Sequence, residues 1–267
     1  MNIVVYIKAV VDPDKAKNDL DLAKGTKEDK LALIINPYDK QAIEAALQLK
    51  EKYTGKVTAV SLGSDLATDK ILRDALSLGV DEGIQISNDD FESLSSYSPA
   101  LGTVLAKAPV DDVDYYITGR EAGDDNQSIT GASIAAALDV DFVDNVDEVE
   151  YNDDETLTLT SRWDKSELKG TYKQKPLVLS IKDTANTPRL PSFKAKMQAK
   201  KATLKHFKVS DLPDIDVARI KAIADRATTI NLAKPEVASK ETVLFNLNDD
   251  ENAVSELVAD LKKHSIL

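Results

Sequence analysis

The fold is decided by DYYITGREAGDDNQSITGASIAAAL, residues 114–138, because this stretch predicts a strand, a polar loop and a helix. The run DYYIT predicts a buried strand, and GASIAAAL predicts a helix. In an open α/β sheet, the loop amides and the first helical N–H groups of such a unit converge on one point, where the helix dipole favours negative charge. The stretch therefore predicts a nucleotide phosphate site at the carboxyl end of the sheet.

The same stretch allows a second interpretation. Ser128 or Thr130 is expected to cap the helix or to bond a phosphate, but an acidic turn with such a cap and no ligand has the same composition. The sequence has no G-x-G-x-x-G after its first strand and no G-x-x-x-x-G-K-S/T. The phosphate prediction therefore depends on the strand–loop–helix context.

Composition limits the chemistry that the chain can perform. The 267 residues include no cysteine and two histidines, which excludes thiol catalysis and argues against a histidine metal cluster or a Ser-His-Asp site. A net charge of −12 argues against binding to nucleic acid or anionic lipid. The sequence contains no run of about 18 apolar residues, so it predicts no membrane span. The first residues, MNIVVYI, lack the basic region of a signal peptide, which predicts a cytoplasmic location.

Strands and helices alternate along the first two thirds of the chain. This order predicts an α/β fold with an open, mostly parallel, doubly wound nucleotide-binding sheet. Strands are predicted at 3–7, 31–35, 56–61, 83–87, 114–118 and 177–181, and helices at 38–52, 65–78 and 98–107.

The pattern changes after residue 140. Alternating residues at 141–150, 155–163 and 169–173 predict an antiparallel ribbon. Beyond residue 185 the chain has few core-like runs before a final amphipathic helix, which suits an arm laid on a partner subunit. We therefore expect an α/β domain at 1–184, and a partner-recognition loop with an extended C-terminal arm at 185–267.

Six lysines make a basic stretch near residue 200. They suit a phosphate-bearing or acidic partner, or else form a solvated, lysine-rich strand edge. The six are Lys194, Lys196, Lys200, Lys201, Lys205 and Lys208.

Short motifs in a fixed order carry a resemblance to a known family. They are KAVVDP at 8–13, NPYD at 36–39 with IEAA at 43–46, LRDALSLGVD at 72–81, TGREA at 118–122, NTPR at 186–189 and AKK at 199–201. Over nearly the whole chain, this order resembles the β subunit of electron-transferring flavoprotein.

The resemblance implies a heterodimer with an electron transfer flavoprotein α subunit, which holds most of a redox-active FAD. The β subunit of that family binds AMP, or a second FAD in members that bifurcate electrons. The pair accepts electrons from flavin-dependent dehydrogenases and passes them on. It works as an electron carrier, without acid–base residues of its own.

Site residues follow from the same resemblance. Ala9, Asn36 and Leu62 match positions that contact the adenine nucleotide. Tyr38 matches an aromatic position that approaches the FAD, although packing at a helix start is the plainer role. The phosphate loop is implied to contain Gly123, Asp124, Asp125, Asn126, Gln127, Ser128 and Thr130.

The chain departs from the family pattern at two places. Without a gap, Ile129 stands where the loop usually has glutamine; with a small shift, Asn126, Gln127 and Ser128 supply the amide and hydroxyl instead. Asp125 stands where bifurcating members often have glycine and AMP-binding members often have aspartate, which favours AMP. The family's R-E-x-D-G-G-x-E is replaced by RWDKSELK at 162–169. Arg162 there either positions an anion or is an ordinary surface residue.

The segment 188–201 matches the loop with which the family grips its dehydrogenase partners. Phe193 is expected to be an apolar anchor with a polar rim, or else to pack on its own domain. Two other classes of protein stay open: a stand-alone adenine-nucleotide-binding module of the universal-stress type, and a scaffold subunit with an empty site.

Overall fold

The computed structural model describes residues 1–15, 31–88, 98–226, 242–247 and 251–267. The chain divides into two compact units, Met1–Ile230 and Asn231–Leu267. Among the described residues, no helix has both the length and the apolar character needed to cross a membrane.

The first unit contains eleven strands and six helices among its described residues. The strands are β1 (Asn2–Tyr6), β2 (Ala9–Val11), β3 (Leu33–Ile35), β4 (Lys56–Gly63), β5 (Glu82–Ser87), β6 (Tyr115–Gly119), β7 (Asp141–Tyr151), β8 (Leu157–Trp163), β9 (Ser166–Tyr172), β10 (Leu177–Ile181) and β11 (Lys205–Lys208). The helices are α1 (Pro37–Tyr53), α2 (Asp65–Leu78), α3 (Ser98–Leu105), α4 (Thr130–Leu138), α5 (Phe193–Ala199) and α6 (Val217–Ala224). In the second unit, α7 spans Ala253–Lys263.

Nine strands form one sheet in the order β11-β5-β4-β1-β6-β10-β7-β8-β9. The first seven of these run parallel to their neighbours, and β8 and β9 continue the sheet as antiparallel strands. The predicted parallel sheet and antiparallel ribbon are confirmed. From β1 the chain builds outward to β4 and β5, then returns to β6 on the other side of β1. That reversal creates a crevice at the carboxyl ends of β1 and β6, where open α/β sheets bind ligands.

Helices cover both faces of the sheet, so the fold is doubly wound as predicted. Ile3 and Val5 of β1 pack in a cluster with apolar residues of α1 and α2. Val4 and Tyr6 point to the other face and pack with residues of α3, α4 and α6. The strand is buried on both faces because successive side chains alternate between them.

A separate two-stranded sheet follows β1. Strand β2 pairs antiparallel with β3, with Ala9 opposite Ile35. The predicted strand at 31–35 is therefore shorter than expected and lies outside the main sheet. It delivers the chain to Asn36 and the start of α1.

Residues 193–208 belong to the first unit and pack on its helix α2 and strand β5. The guanidinium of Arg73 on α2 donates to the carbonyls of Ala199, Lys200 and Ala202, each at 3.0 Å. Strand β11 adds to the edge of the sheet beside β5. Part of the segment that the sequence assigns to an arm thus belongs to the first unit, and Lys205 and Lys208 do lie on a sheet edge.

Candidate functional site

A cleft lies at the carboxyl ends of β1, β4 and β6, at the reversal of strand order. Its volume is about 660 Å³ when the open solvent at its mouth is included. The residues that line it are Tyr6, Ile7, Lys8, Asn36, Asp39, Val60, Leu62, Leu101, Leu105, Thr118, Gly119, Arg120, Glu121, Ala122, Asp125, Ser128 and Thr130.

Asp39 lies buried in the first turn of α1 and joins the ends of two strands. Its carboxylate accepts the backbone N–H of Lys8 at 2.7 Å and that of Gly119. Burial raises the pKa of Asp39 to about 7, although these hydrogen bonds act in the opposite direction. A Cβ at position 119 would lie 2.5 Å from Asp39 Oδ1. The close approach of β6 to α1 therefore requires glycine at 119.

Asn36 places the polar loop that follows β6. Its buried side chain donates from Nδ2 to the carbonyl of Glu121 at 2.8 Å. Its Oδ1 accepts the backbone N–H of Gly123 at 3.1 Å. Both polar atoms of this amide thus hold the loop against the start of α1.

The loop enters α4 without the predicted cap. Ile129 is the N-cap residue of α4, and its side chain makes no capping hydrogen bond. The hydroxyl of Ser128 instead donates to Glu121 Oε2 at 2.9 Å, and Thr130 is the first helical residue. Ser128 and Thr130 therefore do not cap the helix, and the alternative that they bond a phosphate stays a prediction. Because this N-cap has no capping side chain, the first turn of α4 presents its amide groups in the manner of an anion site.

Lys8 crosses from the end of β1 to the acidic part of the loop. Its ammonium lies 2.7 Å from Asp124 Oδ1 and 3.1 Å from Asp125 Oδ2. Burial lowers the pKa of Lys8, but its bonds to the two carboxylates outweigh that effect and raise it. The loop is thus held at two points, by Asn36 and by Lys8.

The opposite wall of the cleft is apolar. Val60 and Leu62 come from β4, on the far side of β1 from the loop. Tyr6 donates its hydroxyl to the carbonyl of Leu105 at 3.0 Å, and its ring stacks on Tyr116 with centroids 6.3 Å apart. Sequence reasoning did not single out Tyr6. The signal was present in its position two residues before Lys8, on the same face of the chain.

The structure brings some of the predicted site residues to the cleft and leaves others beside it. Those that line it are Asn36, Leu62, Asp125, Ser128 and Thr130. Gly123, Asp124, Asn126 and Gln127 lie in the same loop but not in the lining, and Ala9 lies on β2.

Tyr38 lies beside the cleft, in a small charged cluster. The guanidinium of Arg120 lies over its ring, 5.4 Å from the centroid, and Arg120 also pairs with Glu121. A hydrogen bond to Glu121, with partial burial, raises the pKa of the Tyr38 hydroxyl. The aromatic ring, the cation and the carboxylate thus form one surface next to the loop.

Arg162 is surrounded by carboxylates. Its guanidinium lies 2.8 Å from Asp147 and Glu148 and 2.7 Å from Glu167. These three partners already compensate its charge, which favours the interpretation of Arg162 as an ordinary surface residue.

Residues 188–201, here called the recognition segment, present apolar side chains to solvent. Leu190 is 92% exposed and Phe193 is 81% exposed. Arg189 fastens the segment to α1 by pairing with Glu44 at 2.8 Å and with Glu51. Phe193 is the first residue of α5 and does not pack in the core. Sequence reasoning missed Leu190, although it lies between the N-x-P-R motif and Phe193.

The comparisons with known proteins agree with this architecture. A profile of the electron transfer flavoprotein domain matches residues 26–212. The chain is 33% identical over 219 residues to the electron transfer flavoprotein subunit beta of Bacillus subtilis, covering 81% of this chain and 82% of the relative.

Two further relatives extend the match. Electron transfer flavoprotein subunit beta of Thermoanaerobacterium thermosaccharolyticum is 33% identical over 219 residues, or 81% of each chain. The protein of the same description from Megasphaera elsdenii is 26% identical over 275 residues, or 97% of each chain. With its family profile, its relatives and its doubly wound sheet, the chain belongs to the electron transfer flavoprotein family.

Proposed function

We propose that this chain is the β subunit of a heterodimeric electron transfer flavoprotein. In this proposal the pair accepts electrons from flavin-dependent dehydrogenases and passes them on through FAD held mainly by the α subunit. AMP binds in the cleft of this chain, and the protein acts in the cytoplasm. The observation that carries the proposal is the cleft at the reversal of strand order, with a polar loop and the start of α4 on one side.

The two walls of the cleft suit an adenine mononucleotide. Val60, Leu62 and Leu105 form an apolar surface for a base. Ser128, Thr130 and the first turn of α4 offer hydroxyl and amide donors for a phosphate. Backbone amides and hydroxyls can bind a phosphate without a metal ion. The presence of Asp125 in the lining supports AMP over a second FAD, because the resemblance places glycine here in members that bifurcate electrons and aspartate in members that bind AMP.

The FAD held by the α subunit would meet this chain at Tyr38. An aromatic ring with Arg120 above it fits a flavin, since the ring offers a stacking surface and the guanidinium offers charge and hydrogen-bond donors. When bound, the FAD supplies the redox chemistry. This chain contributes placement and electrostatics.

The second unit supplies an apolar surface for the α subunit. On α7, Val254, Leu257 and Val258 are 55%, 39% and 37% exposed. These residues recur at helical spacing, so they form one stripe of an amphipathic helix. Covering a side chain of this kind contributes about 1.5–3 kcal/mol, which is enough for such a stripe to strengthen an interface.

The recognition segment would bind the dehydrogenase. Leu190 and Phe193 are exposed apolar side chains, and Lys194 and Lys196 beside them are also exposed. An apolar centre with a charged rim is typical of an interface. The lysines would add a steering effect that weakens as salt increases.

The test is to co-express the chain with its α subunit, denature the pair and measure the nucleotides released. One FAD and one AMP per pair would support the proposal. Two FAD would support the bifurcating alternative, and no adenine nucleotide beyond the FAD would support an empty scaffold. Replacing Gly123 and Ser128 with bulky residues should remove the AMP and keep the FAD. If that variant keeps all its AMP, the nucleotide lies elsewhere.

A further inference from the structure

We propose that Lys8 is the cation that binds the nucleotide phosphate, and that Asp124 and Asp125 compete with the phosphate for its ammonium. This inference rests on the proposed AMP site and adds to it the residue that distinguishes a charged nucleotide from a neutral nucleoside. Three features support it: the position of Lys8 in the cleft, the pairing of Arg120 with Glu121, and the exposure of Asp124 and Asp125.

The backbone of Lys8 is held in place, while the ammonium at the end of its side chain can exchange partners. Its N–H is held by the buried carboxylate of Asp39 at 2.7 Å, which fixes where the side chain begins. The side chain lines the cleft with Asp125, Ser128 and Thr130, the residues at the entrance to α4. Its ammonium lies 3.1 Å from Asp125, which lines the same cleft as Ser128 and Thr130.

Among the described residues that line the cleft, Lys8 and Arg120 carry positive charge. Arg120 forms an ion pair with Glu121 and a cation–π contact with the ring of Tyr38. Lys8 has partners that can leave it more easily, because the side chains of Asp124 and Asp125 are 44% and 31% exposed. Exposed ion pairs are weak, since water solvates the separated charges well.

The exchange also explains how an acidic loop can accept an anion. Asp124, Asp125 and Glu121 lie close to the entrance of α4 and would repel a phosphate by themselves. A phosphate monoester carries close to two negative charges near neutral pH, so it competes well with one carboxylate for an ammonium. Once the phosphate binds Lys8, Asp124 can turn to solvent, while Asp125 still accepts the backbone N–H of Gln127 at 3.1 Å.

The experiment titrates the full chain with AMP and with adenosine by isothermal calorimetry. Lys8→Met should weaken AMP binding by about tenfold to a hundredfold, the value of a charged hydrogen bond, and leave adenosine binding unchanged. Lys8→Arg should keep most of the AMP affinity. The double change Asp124→Asn and Asp125→Asn removes the competing carboxylates and should tighten AMP binding by about twofold to fivefold.

Lys50→Met is the matched control, because Lys50 pairs with Asp81 at 2.6 Å and does not line the cleft. It should leave both affinities unchanged. Equal losses for AMP and adenosine in Lys8→Met would overturn the proposal, as would unchanged AMP binding. If Lys8→Met does not fold, the aspartate variant decides, and a failure to tighten AMP binding overturns the proposal. If the natural chain binds neither ligand, the proposed AMP site itself is wrong.

Discussion

Replacing Phe193 with alanine separates a docking role from a packing role. A fully covered phenylalanine buries about 150–250 Å², and 81% of this side chain is still exposed in the chain alone. At about 25 cal/mol per Å² the area left to cover corresponds to about 3–5 kcal/mol as an upper limit. Truncating an interface aromatic typically costs 2 kcal/mol or more, about thirtyfold in affinity.

The assay measures electron transfer from a flavin-dependent dehydrogenase to the purified pair over a range of pair concentrations. Phe193→Ala should raise the apparent KM for the pair about thirtyfold, with the FAD absorbance spectrum unchanged. Leu190→Ala should act in the same direction, because Leu190 is also exposed on the recognition segment. High salt should weaken the interaction further, since the neighbouring lysines are screened.

The same variant should leave stability nearly unchanged. An exposed side chain contributes little to folding stability, so the free energy of unfolding should change by about 0.5 kcal/mol or less. Leu168→Ala is the matched control, because Leu168 is 57% exposed on β9, at the other end of the sheet from β11. A normal rate per folded molecule together with a lowered melting temperature would refute the docking role of Phe193.

Three further predictions concern the arm, the cleft and the fold. Deleting residues 251–267 should weaken co-purification with the α subunit, because the exposed apolar stripe of α7 is lost; undiminished co-purification would count against the arm. Because the pKa of Asp39 is raised to about 7, the folded chain holds a proton that the unfolded chain releases from about pH 4, so unfolding free energy should fall between about pH 4 and 7. Asp39→Asn should remove up to about 4 kcal/mol of that fall. Denaturant unfolding at pH 5 and pH 8 gives the unfolding free energies of the natural chain and of the variant. If these differ by the same amount at both pH values, the prediction is wrong. Gly119→Ala should destabilise the chain by a few kcal/mol, roughly the cost of overpacking, because its Cβ meets Asp39 and Tyr38 within 2.8 Å; an unchanged melting temperature would contradict this packing.

Strand and helix periodicity was sufficient to predict the parallel sheet, its helices and the antiparallel extension. These elements are buried on one face or both, so their apolar residues recur at the period of the local structure. A lysine-rich strand edge near residue 200 was one of two interpretations, but the bounds of β11 were not predicted, because its residues KHFK carry little apolar signal. It is ordered by pairing with β5 and by the contacts of Arg73, which are long-range interactions that no local pattern reveals.

The candidate site was predicted in part for a similar reason. The order of strand, loop and helix located the loop after β6, and the NPYD motif located Asn36. The partners within the site were not predictable from spacing. Asp39 meets Lys8 and Gly119, and Tyr6 meets Leu105, only because the topology brings β1, β6, α1 and α3 to one end of the sheet. The Ser128 cap was wrongly expected because Glu121 takes its hydroxyl instead.

The nucleotide content of the pair tests the central proposal most directly. The chain and its α subunit would be co-purified, denatured and analysed for FAD and AMP by chromatography against standards. The proposed function predicts one FAD and one AMP per pair, with the AMP lost and the FAD kept when Gly123 and Ser128 are replaced by bulky residues. Two FAD per pair, or a pair with no AMP, would contradict it.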